Sequence, residues 1–296
     1  MEKTKITTIL ETSNLSYAYS DGKKALEDVN IKFLRGSRSV VLGANGAGKS
    51  TLFLLLNGLY RPTSGKIFFD GEELVYSTKF LRKLRSRVGV LFQDPDTQLI
   101  LGSLREDISF GPMNLGLERK VVEERVERAL IATRLEKYAD SAVHSLSYGQ
   151  KRRAGIAGLL AMDPEVLILD EPTAGLDKRS QQELFDLLKE LIDQRGISVI
   201  LSTHDIDLAY SWADYLYLID SGRVVANCVD CTSAAIFDFF TQGFSKFASC
   251  GFVPPQVIEL YSELKRVGIF SSNNKGHNDT QYPHSMSELI KIIKEL

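Results

Sequence analysis

Residues 39–56 read SVVLGANGAGKSTLFLLL. A short run containing two valines meets a glycine-rich turn, and beyond Thr51 the chain continues apolar and without β-branching. That is a strand, a turn and a buried helix. The turn, GANGAGKS (43–50), has the spacing G-x-x-x-x-G-K-[ST] in the strand-before, helix-after context that the motif needs. Gly43, Gly46 and Gly48 let backbone N–H groups close around phosphate oxygens, with Asn45, Ala47 and Thr51 completing the cradle. Lys49 supplies charge opposite the β- and γ-phosphates, and the Ser50 hydroxyl is suited to Mg²⁺. The expectation is a nucleoside-triphosphate site.

Four further stretches carry chemistry. VLILDE (166–171) is a continuous apolar run ending in carboxylates, the pattern of a buried parallel strand. Carboxylates also end strands at ordinary turns. With a phosphate loop in the same chain, however, such strand ends gather at one edge of the sheet. Asp170 is then expected to hold the metal through water, and Glu171 to orient or deprotonate an attacking water. His204, in STHD, ends the next apolar strand and is expected at the γ-phosphate. Gln93, in LFQD, ends another strand, and its amide can reach metal or water. LSYGQ (146–150) opens a helix. Such an N-terminus binds anions readily, although Ser147 also suits a plain N-cap.

Strands flanking helices indicate an α/β core that is mostly parallel, interrupted by a helical insertion at about 95–163. Within it, Val122, Val126, Ala129, Leu130 and Thr133 share one face. Leu184, Leu187, Leu188 and Leu191 form a stripe on a later helix. The main unit is read as 1–227, with a C-terminal extension over 228–296. In that extension 271–284 is expected to be a linker. Ser285 and Glu288 have capping-box spacing, and Leu289, Ile292, Ile293 and Leu296 form one stripe.

The 296 residues, 44% hydrophobic and 25% charged, suit a globular protein with a real core. A net charge of −2 argues against a dedicated nucleic-acid binder. No run approaches the ~18 apolar residues of a membrane span, and the start is too polar for a secretory signal. Three cysteines without a signal suggest reduced thiols.

The order P-loop, FQD, LSYGQ, LILDEP, AGLD, STHD resembles that of the ATP-binding-cassette (ABC) ATPases across about residues 8–226. The resemblance implies a P-loop NTPase, RecA-like core with an antiparallel β subdomain, a helical insertion and a small C-terminal helical appendage. It implies Glu171, His204 and Gln93 as catalytic residues, and Ser50, Gln93 and Asp170 around Mg²⁺. Ser147, Gly149 and Gln150 would cap ATP bound to the other protomer of a head-to-tail dimer. Tyr19 is expected against adenine, with Tyr17 as the competitor, and Asp177 closes the turn at the dimer interface. The family has glycine where Tyr148 stands. The tyrosine is expected to be tolerated unless a positive φ is required there.

FQDPDTQL, EDISFGPMNLGL and GFVPPQVIEL further resemble the energy-coupling-factor ATPases. These drive cobalt, nickel or vitamin uptake through integral membrane subunits, so the chain is expected as a peripheral protein on the cytoplasmic face of the membrane. The alternative is an ABC ATPase acting on nucleic acid or ribosomes, which the single cassette and compact insertion disfavour. The surface near residues 93–110 is the candidate groove that receives a membrane-subunit helix, with Leu99, Ile100 and Leu101 as its apolar run; the alternative is that these three simply pack the insertion. CVDC (228–231) is half a metal site at most. KFLRKLRSR (79–87) reads as a solvated helix face, with lipid headgroups as the lesser use.

Overall fold

Two sheets organise the chain in a computed structural model that describes residues 7–229, 231, 233–242, 244–267, 269 and 282–294. The elements run β1 (Thr8–Ala18), β2 (Lys24–Leu34), β3 (Arg38–Leu42), α1 (Lys49–Leu56), β4 (Ser64–Phe69), β5 (Glu72–Glu73), α2 (Thr78–Arg87) and β6 (Val88–Leu91). The insertion follows with α3 (Leu104–Asn114), α4 (Arg119–Thr133) and α5 (Tyr148–Ala161). Then come β7 (Val166–Leu169), α6 (Lys178–Arg195), β8 (Ser198–Thr203), α7 (Ile206–Trp212), β9 (Tyr215–Asp220) and β10 (Arg223–Cys228). The appendage holds α8 (Ser233–Gln242), α9 (Phe244–Ser249), α10 (Gln256–Arg266) and α11 (Met286–Lys294).

The antiparallel sheet has the order β2-β1-β4-β5, and the central sheet β10-β9-β3-β8-β7-β6. In the central sheet β9, β3, β8, β7 and β6 are parallel and only β10 pairs antiparallel. Alternation splits the core. Val40 and Leu42 face the side covered by the insertion and appendage, while Val41 joins α1 and the antiparallel sheet. The expected stripes on α4 and α6 are buried.

The appendage packs on the cassette. Ile236, Phe240, Phe247, Tyr261, Leu289 and Ile292 join Tyr210 and Trp212 of α7 in one apolar cluster. Tyr210 donates to the Pro283 carbonyl at 2.8 Å, and Asp207 accepts the Gln256 N–H at 2.7 Å. Ser285 accepts the Glu288 N–H as its spacing predicts. The Glu288 carboxylate returns to the N–H of His284, one residue earlier than a capping box requires. Leu296 and most of the expected linker lie outside the described residues.

The basic face of α2 is held by protein. Arg82 donates to the Asn114 carbonyl, Arg85 to that of Gly58, and Lys83 pairs with Glu72. At its end Arg87 enters a four-residue ion network. Arg35 reaches Asp70 at 2.5 Å and Glu165 at 2.7 Å, and Arg87 reaches Asp70 at 3.0 Å and also pairs with Glu165. The network ties the antiparallel sheet to the base of β7. Arg87, then Arg35, hold the Glu165 carboxyl below its ordinary range; Arg35, then Arg87, do the same for Asp70. Carboxyls depressed in the folded state add stability above the unfolded pKa of about 4, which is lost as pH falls through the folded pKa. Arg35, Asp70 and Glu165 are over a third exposed at the side chain and Arg87 is 24% exposed, so solvent screens the network and roughly 1 kcal/mol is expected. The double variant Asp70→Asn, Glu165→Gln should therefore melt lower at pH 7 and show a shallower fall in Tm below about pH 4. A wild-type acid limb in thermal melts would remove the network from this role.

Candidate nucleotide site

Strand register builds the site. Leu42 pairs with Thr203, Leu169 with Leu201, and Leu91 with Leu169, so β3, β6, β7 and β8 end together. Their next residues are Gly43, Phe92–Gln93, Asp170–Glu171 and His204. The edge foreseen from the apolar runs exists.

The turn after β3 needs its glycines. Gly48 has φ +109°, and a Cβ there would lie 2.6 Å from the Ala25 carbonyl oxygen. A cavity of about 400 Å³ opens over the loop, and Tyr19, Lys49, Ser50, Thr51, Gln93 and Glu171 line it together with residues 45–48. Gly43 lies beneath it, buried, where a Cβ would stand 2.5 Å from the Ile219 carbonyl oxygen.

Lys49 is 5% exposed and donates to the carbonyls of Gly43 at 2.7 Å and Ala44 at 3.1 Å. Its Nζ also lies 3.1 Å from Glu171 Oε1, an ion pair without hydrogen-bond alignment. The other carboxylate oxygen is 3.1 Å from His204 Nδ1. The histidine side chain is 58% exposed, so its ring reaches from the carboxylate into solvent. Glu171 has φ +45°, uncommon for a residue with a side chain. Ser202 supports the turn by accepting the Glu171 N–H at 2.9 Å and donating to Asp170 Oδ1 at 2.6 Å. Asp170 is buried behind Glu171, whereas Ser50 and Gln93 are exposed.

Tyr17 and Tyr19 meet edge-on, with centroids 5.2 Å apart, but take different places. Tyr19 lines the cavity, its hydroxyl 2.7 Å from that of Thr51. Tyr17 stacks on Tyr60 with centroids 5.2 Å apart, so one of its faces is taken. Tyr60, edge-on to Tyr19, was not legible as a member of this group, although it closes the turn NGLY that follows α1.

The start of α5 lines a different, smaller cavity with Ser147, Gly149, Gln150, Arg153, Ser180 and Glu183, none of which lines the first. Ser147 accepts the Gln150 N–H at 3.3 Å, and Gln150 accepts the Ser147 N–H at 2.7 Å. This capping box leaves the amides of Tyr148 and Gly149 as donors without intrahelical partners. Tyr148 is the first helical residue and is not among the positive-φ positions, so tyrosine suits its backbone. Asp177 caps α6 through the Ser180 N–H at 2.8 Å, which lowers its pKa. Arg152, buried between these elements, was missed, because KRR in a helix reads as a solvated face.

A third cavity, about 830 Å³, lies on the insertion between α3 and α4. Leu101, Phe110, Met113, Leu117, Val122 and Val126 give it an apolar floor. The expectation for the run 99–101 needs correction. Leu99 is 7% exposed and belongs to the core, Ile100 is 67% exposed, and only Leu101 lines this groove. In CVDC, Cys228 is buried and the Cys231 thiol lies 3.5 Å from the Cys228 carbonyl oxygen. The neighbouring Cys228 thiol and burial push the Cys231 pKa up, away from reactivity. His277 lies outside the described residues, and His284 stacks on Tyr210. Among the described residues no helix is long and apolar enough to cross a membrane.

Residues 26–174 match the family described as ABC transporter. The chain is 40% identical over 288 residues to a putative ABC transporter ATP-binding protein of Methanosarcina mazei, covering 97% of this chain and 60% of that protein's length. It is 46% identical over 218 residues to the energy-coupling factor transporter ATP-binding protein EcfA of Methanothermobacter thermautotrophicus, covering 74% of this chain and 70% of that one. The structure of cbiO1 from Clostridium perfringens, part of the ABC transporter complex cbiONQ, superposes with a TM-score of 0.73 at 40% identity. It covers 88% of this chain and 97% of its own. With the P-loop, the strand-end carboxylates and the capped α5 arranged as described, the chain belongs to the ABC transporter ATPases.

Proposed function

We propose that this protein is the ATP-hydrolysing subunit of an energy-coupling-factor importer, driving uptake of a transition-metal ion or a vitamin through integral membrane subunits. It would act as a peripheral protein at the cytoplasmic face of the cell membrane. The observation that carries this reading is the convergence of Lys49, Glu171 and His204 at 3.1 Å contacts beside the phosphate loop. The EcfA and cbiO1 likenesses supply the transport context.

In this reading Tyr19 meets adenine, and the N–H groups of residues 45–51 receive the phosphates with Lys49. Lys49 exchanges its carbonyl and carboxylate contacts for phosphate, which leaves Glu171 to accept a proton from the attacking water. His204, held at Nδ1, offers Nε2 toward the γ-phosphate. Ser50, Gln93 and Asp170 provide hydroxyl, amide and carboxylate oxygens, a hard donor set suited to Mg²⁺. When bound, Mg²⁺ neutralises phosphate charge. Ser147, Gly149 and Gln150 line a cavity separate from the P-loop, so each protomer holds half a site and lends the other half to a second ATPase protomer.

The groove on the insertion is the proposed seat for a membrane-subunit helix. Phe110 is 49% and Met113 64% exposed there, an apolar floor flanked by Arg105, Glu106, Arg119 and Glu123. The double variant Phe110→Asp, Met113→Glu should leave the fold and basal ATPase activity nearly unchanged. It should release the protein from membrane subunits during purification in mild detergent and abolish ATP-driven uptake. Full retention of those subunits by the variant would sink the docking assignment, and absence of any membrane partner from the wild-type preparation would sink the importer.

A further inference from the structure

Arg152 is a buried charge with an unusual set of partners. It is 1% exposed. Its neighbours Lys151 and Arg153 pair with Asp96 and Glu183, whereas Arg152 has no carboxylate partner among the described residues. Its guanidinium donates instead to the Phe92 carbonyl at 2.8 Å, the Tyr148 hydroxyl at 3.1 Å and the Glu171 carbonyl at 3.4 Å. Nε has no partner. A charge left in the interior without a counter-ion is expensive, and an apolar residue of similar volume would pack there at lower cost. Helix stability does not account for it.

Tyr148 extends the same network. Its ring lies under the Arg152 guanidinium, 5.4 Å from the centroid, and its hydroxyl points to the Gln93 carbonyl at a long 3.5 Å. The ring edge also rests on the AGLD turn, where a Cβ on Gly175 would lie 3.1 Å from Tyr148 Cε1. A glycine at 148 makes none of these contacts. One guanidinium therefore holds the peptides that carry Gln93 and Glu171, which line the nucleotide cavity, and does so from the helix whose first turn carries Ser147 and Gly149.

We propose that Arg152 and Tyr148 are positioning residues that couple the nucleotide site a protomer owns to the surface it lends its partner. A shift of Gln93 or Glu171 at the γ-phosphate is passed through the two carbonyls to the first turn of α5, and a shift there returns the same way. The proposal rests on the assignment of Gln93 and Glu171 to the hydrolytic site.

The test uses the full chain in its membrane complex. Tyr148→Phe keeps the ring over the guanidinium and against Gly175, and removes only the hydroxyl relay. It is expected to lower Tm slightly, since the guanidinium loses one acceptor, and to leave the affinity for a fluorescent ATP analogue unchanged. It should lower kcat about three- to tenfold at nearly constant KM and bring the Hill coefficient for ATP closer to 1. Arg152→Met should lose more, and Arg152→Lys should recover part of the loss. A wild-type kcat and Hill coefficient in Tyr148→Phe overturns the coupling, as does a kcat loss matched by loss of ATP affinity. Glu171→Gln run alongside separates the two assignments. If it is inactive while Tyr148→Phe is normal, only the coupling falls. If Glu171→Gln still turns over, the hydrolytic assignment falls and the coupling with it.

Discussion

Glu171→Gln is expected to lower ATP turnover by at least ~10²-fold, within the range by which general bases accelerate reactions, while binding ATP as tightly as wild type or more so. The structure gives the second half of that expectation its reason. Lys49 and Glu171 are 6% and 7% exposed at the side chain and 3.1 Å apart, so a phosphate that takes Lys49 must displace a buried carboxylate. Glutamine removes the competing charge and keeps the shape. It also retains an acceptor for His204, now 3.1 Å from the carboxylate. Lys49→Ala should do the reverse, weakening nucleotide binding and leaving Glu171 without its cation inside the protein. Phosphate release at saturating ATP, with nucleotide affinity and light scattering on the same samples, reads all of these. Turnover by Glu171→Gln at the wild-type rate would remove Glu171 from catalysis.

How much of this was legible in the sequence depends on whether a local pattern had one physical meaning. The runs SVVL, VLIL and SVILST are mostly apolar on both faces and end at glycine, aspartate or histidine, so they read as buried parallel strands, and their registers align as expected. The stripes of α4 and α6 followed from period alone. Where a pattern is ambiguous, the third dimension decided. The run Leu99–Leu101 turns through a core residue, an exposed one and a groove-lining one, because it leaves a single turn of 3₁₀ helix over Pro95–Thr97. Nothing in an irregular segment marks such changes of face. Arg152 sits among three consecutive basic residues, and a helical wheel does not reveal that its side chain meets the carbonyls of Phe92 and Glu171 just past the ends of β6 and β7. Helices α8 and α9 lie in a stretch where Phe239, Phe240 and Phe247 pack ring against ring and Phe237 stacks on Tyr282, and aromatic contacts do not obey a helical period.

Ser147→Asp is expected to abolish ATP-dependent dimerisation while leaving the single protomer sound. Aspartate is as good an N-cap as serine, so it should still accept the Gln150 N–H, and its charge suits the positive end of α5. Stability should change by no more than about 0.5 kcal/mol. ATP binding to one protomer should also persist, since residue 147 does not line the P-loop cavity. The penalty arises only when a second protomer brings its triphosphate to this helix. Two unit charges about 4 Å apart at an effective dielectric of about 20 repel by roughly 4 kcal/mol, which corresponds to a weakening of ~10³-fold in the dimer. Ser147→Ala is the informative contrast: it forfeits the cap, worth about 1 kcal/mol of stability, but adds no charge, so it should melt lower and still dimerise in part. Sedimentation with ATP in a Glu171→Gln background, beside thermal melts, distinguishes the two. If Ser147→Asp dimerises with ATP as well as its parent does, the start of α5 does not face a phosphate, and the half-site it is proposed to lend must be sought elsewhere on the insertion.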